Sequence, residues 1–376
     1  MSDNSWADKG YGDYFESLEK QLNKPANKPA ESEVSEVVPK TQKRKKKGLI
    51  GGVYRIRKSV IAVVLAIILI IVSVVAISST GDSSDGKADS KNTASSSAKK
   101  ENVEGAKKIV YKSSKEKVDI LSTNDAKHAI IIDKKTNTIV AERKAHEKAY
   151  PASTTKIMTL LVAAEHLKDM EDTFTMTLAI TDPLFVAEAS VAGFLNGEQV
   201  TVRDLFYGTM LPSGADAAMG LAIKTAGSEE EFVKLMNEKV KELGLKNTHF
   251  ANATGLHDKE NYTTAYDLAI ILDSAMQNEF CRKVLSTYQH TTAITPQHPE
   301  GILLSNTIFE YMYGTEPETA TILGGKTGFV NESGYCIASF GKNNETGNEY
   351  IVVTLGNGGR WPAFYGQIDL YKEFAK

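Results

Sequence analysis

The sequence predicts a mixed α/β (α+β) domain over residues 124–376, in which an antiparallel sheet is flanked by helices and joined to a helical lobe. Short runs of β-branched and aromatic residues occur near both ends of this region, and apolar patterns with helical spacing fill the part between them. Strands from the two ends therefore complete one sheet, and a cleft is expected between the sheet and the helical lobe. A separate apolar run precedes the domain.

The N-terminal region, residues 1–58, is predicted to be a disordered tail. It is polar and has no sustained apolar period, so it cannot bury enough surface to offset the entropy lost on ordering. Its end is basic, with an unbroken cationic run from Lys43 to Lys47. The formal net charge of the whole chain is only −3, so no nucleic-acid partner is predicted.

Residues 59–78 are predicted to form a transmembrane helix. From Val60 to Ile77 every residue except Ser73 is Val, Ile, Leu or Ala, and this length approaches a hydrocarbon core of about 30 Å. A cleaved signal peptide is the alternative, but the preceding region is too long for one. The basic residues before the run predict a cytoplasmic N-terminus and an extracytoplasmic domain held at the cell membrane.

A Ser-, Asp- and Lys-rich flexible linker is predicted at 79–123, followed by the elements of the domain in order. β-Branched runs bounded by turn residues predict strands at 129–133, 138–142, 321–325, 334–340 and 350–355. Helical apolar spacing predicts helices at 155–167, 202–211, 216–226, 229–243, 264–276 and 361–374.

The first candidate motif is the Ser-Thr-Thr-Lys segment 153–156, at the start of a predicted helix. Ser153 and Lys156 are three residues apart, so their side chains share one face of the first turn. The partial positive charge of a helix N-terminus disfavours a protonated lysine. A lysine with a lowered pKa would accept the proton of the serine hydroxyl. Taken alone, the pattern is more often an ordinary helix cap.

The second candidate motif is Ser213-Gly214-Ala215, which lies between two predicted helices. Pro212 and Gly214 predict a bend there, and Asp216 is a candidate cap for the helix that follows. Ser213 would lie at the cleft and pass a proton between Lys156 and a leaving amine. An ordinary interhelical loop is the alternative.

The third candidate motif is Lys326-Thr327-Gly328, at the end of a predicted strand. Lys326 and Thr327 would hold a carboxylate by charge and hydrogen bonding. Gly328 lets another backbone approach the strand closely. Taken singly, this sequence is common turn chemistry.

The three motifs, in this order across a two-lobed domain, follow the active-serine pattern of penicillin-recognising enzymes. The chain therefore resembles the low-molecular-weight penicillin-binding proteins, specifically the serine-type D-Ala-D-Ala carboxypeptidases of the peptidase S11 family. The resemblance extends through the folded region, to segments at 129–133, 150–159, 197–205, 252–256, 264–269 and 333–336. It implies a β-lactamase/transpeptidase-like fold.

The resemblance also implies a role for each motif residue. Ser153 would attack the penultimate D-Ala carbonyl of peptidoglycan stem peptides, with Lys156 as the general base and Ser213 as the proton relay. Lys326 and Thr327 would bind the terminal carboxylate, or that of a β-lactam acting as a covalent inhibitor. The backbone N–H groups of Ser153 and Phe329 would form the oxyanion hole. No metal or other cofactor is implied.

Three features depart from the family pattern. Ala215 stands where the second motif usually has Asn, so an amide that would hold the substrate peptide is missing, and Asn252 is the candidate replacement. A C-terminal β-rich domain is not expected after the catalytic sheet. The expected anchor is an N-terminal transmembrane helix in place of a C-terminal amphipathic one.

Two other functions fit part of the sequence. A non-catalytic sensor or scaffold that binds wall peptides is supported by Ala215, whereas a β-lactamase would need a glutamate placed to activate the deacylating water. The histidines lack metal-ligand spacing, and Cys281 and Cys336 are predicted to be buried free thiols.

Overall fold

A six-stranded sheet forms the centre of the domain in the computed structural model, which describes residues 109–120, 125–312 and 317–376. Its strands run in the order β1-β3-β2-β10-β9-β8. Only the β1–β3 pair is parallel among these neighbours, and the other pairs are antiparallel. The strands are β1 (Lys112–Asp119), β2 (His128–Asp133), β3 (Thr138–Arg143), β8 (Ala320–Val330), β9 (Gly334–Asn343) and β10 (Glu349–Asn357).

The two faces of the sheet bury different cores because successive side chains of a strand point to opposite sides. On β2, Ile130 and Ile132 join the core shared with the helical lobe. Ala129 and Ile131, from the same strand, join the core beneath the C-terminal helix. All four are fully buried, so the strand reads as a continuous apolar run, as expected for a strand covered on both faces.

The helices lie mainly between β3 and β8 in the chain. A 3-10 turn at Ala152–Thr155 leads directly into the first of them. The helices are α1 (Lys156–His166), α2 (Leu178–Val186), α3 (Val202–Met210), α4 (Ala215–Ala226), α5 (Glu229–Glu242), α6 (Ala265–Gln277), α7 (Glu279–Ser286), α8 (Thr307–Met312) and α9 (Arg360–Phe374).

Two small ribbons complete the described part of the domain. They are β4 (Thr173–Thr175) with β5 (Gln199–Thr201), and β6 (Gln289–Thr291) with β7 (Leu303–Ser305). The β6–β7 ribbon and the segment that joins its two strands are bound to the helical lobe by histidines. His290 Nε2 lies 2.6 Å from Asp204 Oδ1, and His298 Nδ1 lies 2.9 Å from Glu198 Oε1. These two histidines are therefore members of polar networks.

The predicted sheet, built from strands near both ends of the domain with helices between them, is confirmed. The limits of several elements differ from the prediction. Strand β1 lies inside the segment predicted as linker, and it pairs in parallel with β3 although its sequence has almost no apolar character. Edge pairing of this kind depends on backbone hydrogen bonds, which apolar periodicity does not reveal.

Among the helices within 109–120, 125–312 and 317–376, none is long and apolar enough to cross a bilayer. The predicted tail at 1–58 and the predicted transmembrane helix at 59–78 lie outside the described residues.

Candidate active site

The first motif brings a hydroxyl and an amine together, as its spacing predicts. Ser153 lies in the 3-10 turn and Lys156 is the first residue of α1. The Nζ atom of Lys156 is 3.0 Å from Ser153 Oγ, and it also donates a 2.5 Å hydrogen bond to the backbone carbonyl of Thr254. The amine is therefore held against the serine by a carbonyl from a distant part of the chain.

The turn that carries Ser153 is enclosed by two glycines. A Cβ added to Gly255 would lie 2.0 Å from the carbonyl oxygen of Ala152, and one added to Gly328 would lie 2.8 Å from the backbone nitrogen of Ser153. Ala152 itself has φ +47°, a conformation that L-residues rarely adopt. The backbone before the serine is thus held in an unusual conformation that leaves room only for glycine on both sides.

Burial is the main influence on the charge of Lys156. Its side chain is 2% exposed, and this desolvation lowers its pKa to about 7, against a smaller opposing effect of the Asp216 carboxylate. The helix N-terminus proposed from sequence is therefore not the main cause. At neutral pH a large fraction of the amine is unprotonated and able to accept a proton.

A second lysine, Lys326, lies close enough to Lys156 for the charge of Lys156 to lower the pKa of Lys326. It is fully buried, and its pKa is well below the usual value, first because of burial and second because of the nearby Lys156 charge. Its Nζ atom donates to the carbonyl oxygen of Thr327 at 2.9 Å. The site therefore contains two buried lysines from separate motifs, and we call them the lysine pair.

The second motif occupies the connection between α3 and α4. Ser213 is 7% exposed and has φ +67°, so its backbone adopts the left-handed conformation. Gly214 is required by close packing, since an added Cβ would lie 2.7 Å from both Ala192 N and Gly208 O. This tight connection fixes where Ser213 sits relative to the ends of the two helices.

Asp216 does not cap α4 in the way predicted. Its carboxylate accepts backbone N–H bonds from a neighbouring loop, at 2.7 Å from Ala192, 3.0 Å from Gly193 and 3.2 Å from Phe194. The N-cap position is Gly214, with no side-chain hydrogen bond. The buried carboxylate therefore binds the loop beside the second motif to the start of α4, since its Oδ1 atom also accepts the Ala217 N–H at 2.9 Å.

The third motif lies within β8, and the strand continues through it to Val330 instead of ending before it as predicted. β8 is the last strand in the sheet order. The Thr327 hydroxyl is 2.7 Å from the hydroxyl of Thr307. Phe329 is half exposed and stacks on Tyr335, with ring centroids 4.4 Å apart.

The expectation that Asn252 replaces the missing amide at position 215 is wrong. The Oδ1 atom of Asn252 accepts backbone N–H bonds from Thr254 and Gly255, and its Nδ2 atom donates to Leu256 O at 3.0 Å. Both ends of the amide are thus used to shape the loop that presents the Thr254 carbonyl. Ala215 is buried, and its backbone N–H donates to Ser190 O at 2.7 Å.

Three contributors to the site were not predicted: Thr254, Gly255 and Thr307. The segment 252–256 resembles the family in sequence, but its contact with Lys156 joins residues 98 positions apart. No local pattern reveals such a contact. The only local sign of this contact in the segment was its glycine, since Gly255 has φ +80°, a conformation that favours glycine.

The two cysteines are free and buried, as predicted. Burial raises the pKa of the Cys336 thiol to about 11 and that of the Cys281 thiol to about 12. Cys336 pairs with Gly328 across the β8–β9 register, so it lies near the third motif but as a protonated thiol. A thiolate nucleophile is therefore disfavoured at both positions.

Comparison with known families gives one match over most of the chain. The model of the D-alanyl-D-alanine carboxypeptidase family, peptidase S11, matches residues 86–358. The matched range includes the three motifs and also β1, which supports a folded region that begins before residue 124.

Individual relatives agree with this match. DacF of Bacillus subtilis, a D-alanyl-D-alanine carboxypeptidase, is 35% identical over 239 residues, which cover 62% of this chain and 58% of DacF. The D-alanyl-D-alanine carboxypeptidase of Streptomyces sp. strain K15 is 34% identical over 209 residues, or 54% of this chain and 71% of that protein. The alignment with DacF thus spans less than two thirds of its length.

Solved structures show the same fold. The Streptomyces K15 DD-transpeptidase has a TM-score of 0.61 and 30% identity, covering 67% of this chain and 97% of the other. DacD of Francisella tularensis, a D-alanyl-D-alanine carboxypeptidase, has a TM-score of 0.56 and 26% identity, covering 66% and 70%.

Proposed function

Because the chain belongs to the peptidase S11 family of D-alanyl-D-alanine carboxypeptidases, we propose that it removes the terminal D-Ala from peptidoglycan stem peptides. The reaction would proceed through an acyl-enzyme on Ser153. The observation that carries this proposal is the 3.0 Å contact between the Ser153 hydroxyl and the buried amine of Lys156. With a pKa lowered to about 7, this amine is suited to act as a general base near neutral pH.

In the first half of the reaction, Ser153 Oγ attacks the carbonyl carbon of the penultimate D-Ala while Lys156 takes the hydroxyl proton. The C–N bond then breaks, and the leaving amine of the terminal D-Ala receives a proton through Ser213. In the second half, Lys156 takes a proton from the water that attacks the ester carbonyl. The ester C–O bond then breaks, and Lys156 returns this proton to Ser153 Oγ as the shortened peptide leaves. The chain's own residues therefore account for every proton transferred.

The substrate carboxylate would bind at the third motif. Lys326 and Thr327 provide the donors, and the carboxylate itself would favour the protonated form of Lys326, whose charge is disfavoured in the unliganded site. The backbone N–H groups of Ser153 and Phe329 would stabilise the oxyanion, each being worth roughly a hundred- to a thousandfold in rate. A β-lactam carries an equivalent carboxylate, so covalent inhibition is expected.

The proposed location is the cell membrane, with the N-terminus in the cytoplasm and the catalytic domain outside. The apolar run from Val60 to Ile77 and the basic residues before it support this orientation. It would also place the site on the side of the membrane where mature wall peptides are found.

A second candidate is a sensor that becomes acylated but does not turn over. Ala215 favours it, since the substrate amide would lose a side-chain partner there and Asn252 is already used within its own loop. The two candidates differ in deacylation, because only a carboxypeptidase regenerates free Ser153 repeatedly.

The test is release of D-alanine from a Lys-D-Ala-D-Ala peptide by the purified full-length chain, measured beside acylation by a fluorescent penicillin. We expect many turnovers in the wild-type protein and neither reaction in Ser153→Ala. Ser274→Ala, which removes a hydroxyl that donates to Ile270 O inside α6, is the matched control and should keep both. Acylation without repeated D-Ala release would reject the carboxypeptidase in favour of the sensor.

A further inference from the structure

Thr307 contacts the third motif and Leu211, the residue that follows α3. It is the first residue of α8, and its hydroxyl is 2.7 Å from that of Thr327. Its backbone N–H donates to the carbonyl of Leu211 at 3.2 Å, two residues before Ser213. Thr307 is therefore the residue through which the end of α3 and the middle of β8 are joined on this side of the cleft.

The position of Thr307 is fixed by its neighbour Asn306, which is 2% exposed. The Nδ2 atom of Asn306 donates to Leu285 O at 3.3 Å and to Thr287 O at 3.1 Å. Its Oδ1 atom accepts the N–H of Ile308 at 3.0 Å. A buried asparagine with its polar atoms paired holds the backbone rigidly, so the Thr307 hydroxyl is presented to Thr327 at a defined place.

The direction of the hydroxyl pair follows from the chemistry of a bound carboxylate. An ionised carboxylate only accepts hydrogen bonds, so Thr327 must donate its single hydroxyl hydrogen to it. The oxygen of Thr327 can then only accept from Thr307, which must donate its own hydrogen. A chain that runs from Thr307 through Thr327 to the carboxylate strengthens each bond in it.

We infer that Thr307 is a positioning residue whose hydroxyl aims the hydroxyl of Thr327 at the terminal carboxylate of the substrate. The inference rests on the proposed function for the identity of the peptide, but the carboxylate it concerns is also present in penicillins. Without the Thr307 donor, the Thr327 oxygen loses the hydrogen bond that fixes the direction of its own hydroxyl, and the carboxylate loses part of its binding energy.

A purely structural role for Thr307 predicts a different result. If Thr307 only packed against β8, its replacement would slow acylation by every ligand, with or without a carboxylate. If it aims Thr327, the effect must depend on the carboxylate and must require the Thr327 hydroxyl. These two dependencies separate the roles.

The experiment compares Thr307→Val with Thr307→Ser in the full-length chain. Second-order acylation rates are measured with a fluorescent penicillin and with its methyl ester, which lacks the free carboxylate. We expect Thr307→Val to slow acylation by the free acid about tenfold and acylation by the ester less than about twofold. Thr307→Ser keeps the donor and should stay within about twofold of wild type.

The Thr327→Val background supplies the coupling test. There, adding Thr307→Val should have little further effect on the free acid, because the group it aims is gone. Equal slowing of acid and ester, no recovery in Thr307→Ser, or additive effects in the double variant would each overturn the inference. So would a folded wild-type protein that penicillin does not acylate. Wild-type acylation without D-Ala release would contradict the carboxypeptidase. The ratios of variant to wild-type acylation rates, for the free acid and for the ester, would still test the role of Thr307.

Discussion

The domain buries polar side chains on both sides of its sheet, and the two groups differ in charge and in how completely they are paired. On one side of the sheet lies the lysine pair, Lys156 and Lys326, whose pKa values are both lowered by burial. On the other side, beneath α9, lies a group that we call the rear network: Ser339, Thr354, Gln367 and Tyr371. All four side chains of the rear network are fully buried.

The rear network is closed by neutral partners. Ser339 Oγ donates to Gln367 Oε1 at 2.7 Å, and Gln367 Nε2 donates to Thr354 Oγ1 at 2.9 Å and to Ile337 O at 3.2 Å. Burial of such groups is nearly neutral in free energy when each has a partner.

The lysine pair lacks this balance, because the hydrogen bonds of the two amines and the Asp216 charge do not offset the desolvation that lowers both pKa values. The contrast between the two regions shows which side of the sheet is organised for stability. It also shows which side holds the amine that is proposed as the general base.

The largest expected effect comes from Gly328→Ala, which disturbs the reactive side. The added Cβ would lie 2.8 Å from Ser153 N and 2.9 Å from Thr154 N, so the turn must move. A displacement of this size at a nucleophile lowers the rate about a hundredfold. Acylation by fluorescent penicillin is the measurement, with circular dichroism to establish that the protein is folded.

Gly359→Ala is the control for this substitution, because its added Cβ would meet Pro362 Cδ at 3.2 Å, at the start of α9. It should keep acylation near the wild-type rate. If Gly328→Ala acylates as fast as this control, the close approach of β8 to the nucleophile turn is not needed for the reaction.

Next in size is the effect of Gln367→Leu on the rear side. The substitution leaves the hydroxyls of Ser339 and Thr354 without their amide partner in a dry interior, and should lower the free energy of unfolding by about 2–3 kcal/mol. Urea denaturation measures the change. The acylation rate of the folded fraction should stay the same, and a loss of rate matching the loss of stability would mean that the two sides of the sheet are coupled.

The smallest expected effect is the part of the pH dependence of stability that comes from Lys156. Lys156 has a folded pKa near 7, whereas in the unfolded chain it keeps a value of about 10.4. Between these values the unfolded state binds more protons, so stability rises with pH, by up to about 1.4 kcal/mol per unit for one lysine. Below pH 7 this contribution is flat.

The measurement compares wild type with Lys156→Met by urea denaturation at pH 7 and pH 9. The wild-type protein should gain about 2 kcal/mol more than the variant over this interval, while Lys342→Met, at an exposed position of β9, should follow the wild type. Identical pH curves for Lys156→Met and wild type would show that Lys156 is not buried as an unprotonated amine.

The predictable part of the site is the local part. The three-residue spacing of Ser153 and Lys156 predicts their contact because a helical turn sets it, and the β-branched runs predict the central strands. The cause of the lowered pKa of Lys156 was not predictable in the same way. It depends on burial, and the segment at Thr254 that accepts the Lys156 hydrogen bond is distant in sequence, so only tertiary packing brings the two together.

The remaining differences have the same origin. Asp216 was predicted as a helix cap, but it lies inside α4, and its carboxylate accepts three amides of a distant loop in addition to the Ala217 N–H. From sequence, Asn252 was a candidate to replace the missing amide at position 215. In the structure, its oxygen and its nitrogen both form hydrogen bonds within their own loop. Strand β1 carries no apolar alternation, so only its pairing with β3 shows that it is a strand.

The enclosure of the 3-10 turn between Gly255 and Gly328 has a consequence for the order in which the protein matures. Ser153 reaches its reactive conformation only when three segments, far apart in the chain, have all arrived at one place. A chain still being synthesised, or one that has folded a single lobe, would carry the serine without its reactivity. Under the proposed function, acylation by penicillin would therefore count only fully folded molecules.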